Sequence, residues 1–316
     1  MERELEAWFA RRTWQSPVLG AEELSALKRG RRVSVVLPAL NEEATVGAIV
    51  AELVPLTCGP APLVDEVVVV DSGSSDRTMA VAAAAGARVV ECAAVLPEVA
   101  VRPGKGEVLW RSLAVTSGDV VVFLDSDLVE FDAGFVPALL EPLLTADGVC
   151  FVKGFYRRPL RVRDGESDTG GGRVTELLVR PLLAALCPRL CGVIQPLGGE
   201  YAATRGLLES VPFAPGYGVE IGLLMDTEAG RGLDALAQVN LGVRKHRNRT
   251  LLELGVMSRQ IVSAMFTRAR CPDIGGAITQ FHQAGDDWVP VSHDVEVRDR
   301  APMGELLTGA IDGPFC

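Results

Sequence analysis

Four short runs of β-branched and apolar residues set the strongest limit on what this chain can fold into. They are Val33-Ser-Val-Val-Leu37, Val67-Val-Val-Val70, Arg88-Val-Val90 and Val120-Val-Val-Phe-Leu124. Helical stretches fit between them, over about 43–54, from Thr78 to Gly86 and from Lys105 to Thr116. A strand with no polar alternation is covered on both faces, and parallel strands joined by helical crossovers provide that cover. Residues 31–156 therefore read as a Rossmann-like α/β half with a mostly parallel sheet flanked by helices. Gly86 supplies a helix stop.

The flanking regions are less regular. Residues 1–30 form a polar helical segment with Trp8, Phe9 and Trp14 as docking anchors. Residues 157–270 form a second half with a glycine run (Gly170-Gly171-Gly172), a helix from about 173 to 186 and a Pro/Gly-rich segment over 196–218. A helix near 219–230, a strand near 235–243 and a helix near 250–268 follow. The tail, 271–316, carries few signals and either embraces a partner subunit or stays mobile.

Composition narrows the function classes. The chain has 316 residues, 48% of them hydrophobic, enough for a sizeable core, and 31 basic against 41 acidic side chains give a net charge of −10. That balance disfavours nucleic acid, which needs a basic face to neutralise phosphates. The first residues are too charged for a signal peptide, and no apolar stretch reaches the ~18 residues of a membrane span. No membrane association and a cytoplasmic location are expected. Seven scattered cysteines without a Cys-x-x-Cys pair read as reduced thiols. No G-x-G-x-x-G follows a strand, which disfavours a dinucleotide-binding dehydrogenase.

The chemistry concentrates at strand ends, where open α/β sheets bind their ligands. Asp125-Ser126-Asp127 follows the fourth strand, and two carboxylates there can hold a hard divalent cation that also grips a diphosphate. Pro38-Ala39-Leu40-Asn41-Glu42-Glu43 follows the first strand and Asp71-Ser72-Gly73-Ser74-Ser75-Asp76 the second. Asn41 and Ser74 or Ser75 are also good helix caps, but capping does not account for polar clusters at three consecutive strand ends. Lys105, in Pro103-Gly-Lys-Gly-Glu107, is one of only four lysines and opens a helix, a placement that suits an anion. Gly172-Arg173-Val174-Thr175 opens another helix after the glycine run, again favouring an anion. Two basic runs, Arg157, Arg158, Arg161 and Arg163, and Arg244, Lys245, Arg247 and Arg249, stand out in an acidic chain.

Taken in order, Val-Val-Leu-Pro-Ala-Leu-Asn-Glu, Asp-Ser-Gly-Ser-Ser-Asp, Pro-Gly-Lys-Gly and Asp-Ser-Asp resemble a nucleotide-sugar glycosyltransferase of the GT-A fold. Lys153-Gly-Phe-Tyr-Arg-Arg-Pro159, Gly170-Gly-Gly-Arg-Val-Thr-Glu176, Pro215-Gly-Tyr-Gly-Val-Glu220 and Val243-Arg-Lys-His-Arg-Asn-Arg249 narrow the resemblance to the glucosyl-3-phosphoglycerate and mannosyl-3-phosphoglycerate synthase family. It runs from about 31 to 282, with Cys58-Gly-Pro-Ala-Pro as a short insertion.

The resemblance implies a donor site of Pro38, Ala39, Leu40, Glu42, Ser72, Lys105, Asp125, Ser126, Asp127, Leu197, Tyr217, Glu220 and Arg244. It implies Mg²⁺ or Mn²⁺ on Asp127 and His246, and 3-phosphoglycerate on Gly172, Arg173, Val174, Thr175 and Asn248. Asp127, Glu220 and Lys105 are the candidate catalytic residues, with Glu220 and the nearby Tyr217 at the hexose and Gln195–Glu200 passing close to it. It also implies a homodimer and retention of anomeric configuration, for which a front-face displacement is the expectation. The alternatives are mannosyl transfer from GDP-mannose, a polyprenyl-phosphate sugar transferase, a sugar-nucleotidyltransferase and a catalytically silent nucleotide-sugar-binding protein. The arginine runs argue for a small soluble anionic acceptor over a lipid one. The first-strand loop lacks the glycine-rich pyrophosphate signature of a nucleotidyltransferase.

Overall fold

The computed structural model describes residues 2–157, 160–162, 165–167, 172–243 and 250–309. The chain begins with α1 (Glu2–Arg12), β1 (Thr13–Trp14) and α2 (Ala21–Leu27). The alternating region follows: β2 (Val33–Ala39), α3 (Val46–Leu53), β3 (Glu66–Asp71), α4 (Thr78–Ala84), β4 (Arg88–Glu91), α5 (Lys105–Val115), β5 (Val120–Phe123) and α6 (Phe135–Thr145). Then come β6 (Phe151–Arg157), the short pair β7 (Leu160–Val162) and β8 (Gly165–Ser167), α7 (Arg180–Leu186), β9 (Tyr201–Thr204) and α8 (Arg205–Ser210). The chain continues through α9 (Val219–Arg231), β10 (Leu236–Val243), α10 (Leu251–Arg268), β11 (Ala277–Ala284), β12 (Asp287–Asp294) and α11 (Met303–Leu307).

One eight-stranded sheet runs β1-β10-β6-β9-β5-β2-β3-β4 and draws on both halves of the chain. All neighbours are parallel except β9, which is antiparallel to β5 and β6 on either side. Successive side chains of a strand point to opposite faces, so each central strand feeds two cores. Val35, Leu37, Val67, Val69, Val120 and Val122 pack under α2, α3, α4 and α6. Val36, Val68, Val70, Val121, Phe123, Phe151 and Tyr201 pack under α5, α7, α8, α9 and α10. Full burial of each such side chain is worth roughly 1.5–3 kcal/mol, which is why the uninterrupted apolar runs specify the sheet.

The first four strands and their helices fall where the apolar runs place them, and the α/β class holds. Three details are added by the structure. Trp8 is buried and donates its indole N–H to the Leu233 carbonyl at 2.9 Å, whereas Phe9 on the same helix is 37% exposed. The Pro/Gly-rich 196–218 segment contains β9 and α8, the first of them central in the sheet. The tail is structured in its described part: β11 and β12 form an antiparallel hairpin, and Arg300 is buried beyond it. No helix among the described residues is long and apolar enough to cross a membrane.

Candidate active site

The loops after β2 and β3 are stitched to one another rather than serving as simple helix caps. Gly73 and Ser74 donate backbone N–H groups to Asp71 Oδ2 at 2.9 and 2.8 Å. The Asn41 N–H reaches Ser74 Oγ at 2.9 Å, and the Ser75 N–H reaches Asn41 Oδ1 at 2.8 Å. Asn41 sits at φ 56°, a left-handed conformation that asparagine tolerates better than most residues. Glu42 donates its N–H to Thr78 Oγ1 at 2.8 Å. The result is a rigid rim in which Ala39 is buried, Leu40 is exposed and Ser72 lies between the two extremes.

The Asp125-Ser126-Asp127 turn is fixed to the same rim. Ser126 Oγ donates to the Pro38 carbonyl at 2.6 Å, and Thr45 Oγ1 donates to the Ser126 carbonyl at 2.6 Å. This uses the serine hydroxyl internally and leaves both carboxylates partly accessible at the strand end.

Lys105 enters from the first residue of α5. Its Nζ lies 2.5 Å from Asp125 Oδ1 and 2.7 Å from Glu220 Oε1, joining β5 to α9. The Glu220 contact is a charge pairing rather than an aligned hydrogen bond. Burial works to lower the Lys105 pKa, but Asp125 and Glu220, with Tyr201 beyond them, outweigh it and hold the ammonium well above its ordinary range. Glycines allow the approach. Gly104 has φ 104°, and a Cβ on Gly106 would lie 2.0 Å from the Ala214 carbonyl oxygen. A Cβ on Gly199 would lie 2.2 Å from both Asp125 carboxylate oxygens. Tyr217, in the turn before α9, is half-buried and held by its N–H to Gln260 Oε1 at 3.0 Å.

Three further polar groups lie within electrostatic reach of this cluster. Lys153 on β6 and Glu200 and Tyr201 at β9 are all buried. Burial also pushes the Tyr201 hydroxyl well above its ordinary pKa, reinforced by the nearby Glu220 charge, and that hydroxyl finds no hydrogen-bond partner among the described residues. The Lys153 and Tyr201 roles have no counterpart in the sequence reading. The available signal was a lone lysine inside Phe151-Val-Lys-Gly-Phe-Tyr156, an otherwise apolar strand in a chain with four lysines.

The structure thus brings Pro38, Ala39, Asp125, Ser126, Lys105 and Glu220 together, with the Leu197 loop packed on Asp125 through Gly199. On the acceptor side, Gly172 has φ 88°, Arg173 is exposed, and Val174 and Thr175 are buried. Thr175–Val179 forms a π-helical turn before α7, a local widening often found at functional sites. Arg244, His246 and Asn248 lie outside the described residues, as do Arg158, Arg163, Lys245, Arg247 and Arg249. Among the described residues no cluster of three His, Cys, Asp or Glu side chains could hold a metal ion. Asp127 is the described part of the expected metal site.

Comparison with known proteins gives this arrangement its class. Residues 34–178 match the family described as glycosyl transferase family 2. With the sheet and its strand-end cluster, this makes the chain an α/β glycosyltransferase of GT-A fold. The glucosyl-3-phosphoglycerate synthase of Mycolicibacterium smegmatis is 59% identical over 299 residues, covering 95% of this chain and 98% of the relative. A crystal structure of the Mycobacterium tuberculosis enzyme with Mg²⁺ and UDP has a TM-score of 0.86 at 56% identity, covering 93% of this chain and 99% of that one. Another, with Mn²⁺, UDP-glucose and phosphoglyceric acid, has a TM-score of 0.85 at 56% identity, covering 93% and 98%. The chain belongs to the glucosyl-3-phosphoglycerate synthase family.

Proposed function

We propose that the protein transfers glucose from UDP-glucose to 3-phosphoglycerate, with retention at the anomeric carbon and with Mg²⁺ or Mn²⁺. The observation that carries this reading is the Lys105 bridge between Asp125 and Glu220 at the carboxyl ends of the central strands, in a chain so similar to synthases crystallised with that donor and acceptor. Residues 31–156 would hold the nucleotide, with Pro38, Ala39, Leu40, Glu42 and Ser72 along the rim. Residues 157–270 would hold the acceptor, its anionic groups facing Gly172, Arg173, Val174 and Thr175, with Asn248 beside them.

Asp125 pairs with Lys105 in this scheme, and Asp127, partly accessible two residues on, is the carboxylate proposed for a divalent cation. Asp127 and His246 would hold that cation, which would neutralise negative charge on the departing diphosphate. Glu220 would accept hydrogen bonds from hexose hydroxyls, with Leu197 and Tyr217 closing over the sugar. Lys105 pairs with Glu220 and fixes its direction for that task. Neither Glu220 nor Glu200 acts as a covalent nucleophile in this reading. A front-face displacement, in which the leaving diphosphate takes the acceptor hydroxyl's proton, accounts for retention. A glucosyl adduct trapped on either glutamate would overturn that step.

The purified protein with Mg²⁺ and 3-phosphoglycerate, offered UDP-glucose, GDP-glucose and GDP-mannose in parallel, tests the assignment. Turnover is expected to be highest with UDP-glucose. A preference for GDP-mannose, or transfer only to a polyprenyl phosphate, would refute it. A cytoplasmic homodimer completes the proposal. The six described cysteines are unpaired, and the β11–β12 hairpin exposes Phe281, Trp288 and Val289, which a second subunit would cover. Light scattering giving a monomer mass would remove the dimer.

A further inference from the structure

Lys153 is a buried cation beside the proposed donor site that the proposed reaction leaves without a task. It lies in the middle of β6, is 1% exposed, and is paired in register with Tyr201 of β9, so both side chains share one face of the sheet. That face is aromatic: the Tyr201 ring packs against Phe123 at 5.1 Å and stacks on Phe151 at 5.3 Å between centroids. An ammonium is costly there unless it is paired and hydrogen-bonded. Lys153 Nζ donates to the Gly198 carbonyl and sits 4.5 Å from the centre of the Tyr201 ring. Burial pushes its pKa down to about 8 against the opposing pull of Glu220, with Lys105 lowering it further and Glu200 and Asp125 raising it. It therefore shares one electrostatic network with the groups of the proposed donor site.

The loop it grips is the one expected to pass close to the donor sugar. Three consecutive parts of β6 fasten residues 195–200. Tyr156 exchanges hydrogen bonds with the Gln195 side chain, Gly154 donates its N–H to the Glu200 carbonyl at 2.9 Å, and Lys153 holds Gly198. On its other side the same loop abuts the Asp125 carboxylate through Gly199, where there is no room for a Cβ. Asp125 pairs with Lys105, and Lys105 with Glu220. A continuous chain of contacts thus leads from the Lys153 ammonium to the carboxylate proposed to bind the hexose. The first two ties to β6 are made by backbone or amide groups. The Lys153 tie alone brings a full charge, and it acts at the turn's midpoint.

We propose that Lys153 is a positioning residue for glucosyl transfer: by holding the Gly198 carbonyl it seats the 197–200 turn against Asp125 and so sets the placement of Lys105 and Glu220 at the donor hexose. It touches neither nucleotide nor acceptor in this scheme. The inference rests on the function proposed above and deepens it by separating the seating of the sugar from the binding of the nucleotide.

Three variants test it: Lys153→Met, which keeps the length and loses donor and charge; Lys153→Gln, which keeps a neutral donor for Gly198; and Lys153→Arg, which keeps the charge. Each is followed by thermal melting, by calorimetric titration with UDP and Mg²⁺, and by initial rates with UDP-glucose and 3-phosphoglycerate. For Lys153→Met, kcat is expected to fall at least thirtyfold while the UDP dissociation constant and the KM for 3-phosphoglycerate stay within threefold. Lys153→Gln or Lys153→Arg should recover at least a third of the lost rate on a logarithmic scale. A folded Lys153→Met protein with kcat within threefold of wild type overturns the proposal. So does an equal loss of UDP affinity and rate, or the failure of all three variants to fold, since each would make Lys153 purely structural. A wild-type control inactive with UDP-glucose would instead defeat the functional assignment, and that control is read before any variant is compared.

Discussion

Glu66 is a carboxylate that serves the fold, whereas Asp127 is one proposed to serve the reaction. Burial works to raise the Glu66 carboxyl, yet hydrogen bonds from Ser34, Ser117 and Arg88 prevail and hold it down to about 2. A group depressed in the folded state stabilises the fold above its ordinary pKa and loses that contribution as the pH falls through the folded value. Glu66→Gln should therefore destabilise the protein by about 1–3 kcal/mol near pH 7, with the gap from wild type narrowing once the pH falls below 4.5. Urea midpoints at pH 7, 5 and 3.5 check this, and a gap independent of pH would contradict it. Asp127 is instead proposed to serve the chemistry. Asp127→Ala should abolish metal-dependent transfer with little change in melting temperature, whereas full retained activity would remove the metal assignment. In sequence, Asp127 was legible as a candidate because it lies just past a plain β-run. Lys153 was not, because its meaning depends on a carbonyl 45 residues away that no local pattern reveals.

Among the elements, those buried on both faces were the most readable. β2, β3 and β5 carry uninterrupted apolar runs because helices cover them above and below. β9 escaped notice since its four residues lie between glycines and prolines, and its antiparallel pairing is set by β5 and β6 rather than by its own sequence. The β11–β12 hairpin has the opposite problem: it is largely exposed, so its polar residues obscure the alternation. The glycines of α5 are informative only in three dimensions. Gly106→Ala would push a methyl group to 2.0 Å from the Ala214 carbonyl, an overlap that can be relieved only by moving backbone. A loss of about 1–3 kcal/mol or more is expected, together with a raised KM for the sugar donor as Lys105 shifts. Melting curves and donor titrations measure both. An active, equally stable variant would show that α5 can move without consequence.

For the molecule as a whole, the late chain closes back upon the early chain. Arg300 Nε lies 2.6 Å from Glu107 Oε2, and Arg111 Nε lies 2.7 Å from Glu107 Oε1, all three residues being buried. Arg300 also exchanges backbone hydrogen bonds with Phe213 and faces the Trp110 ring, while the Trp110 indole N–H reaches the Ala301 carbonyl at 2.9 Å. Arg111 would still balance Glu107 after Arg300 is removed, but the charge-assisted hydrogen bonds from Arg300 would be lost, so Arg300→Met should destabilise the protein by about 1.5–3 kcal/mol. Chemical denaturation checks this, and a change below 1 kcal/mol would show that the pairing carries little weight.

The Arg300 fastening also imposes an order on biosynthesis. The helix that presents Lys105 cannot reach its final anchorage until a residue almost two hundred positions later has left the ribosome. A nascent chain that has not yet reached Arg300 would lack the clasp that steadies this helix, so its final seating waits on the emergence of that residue.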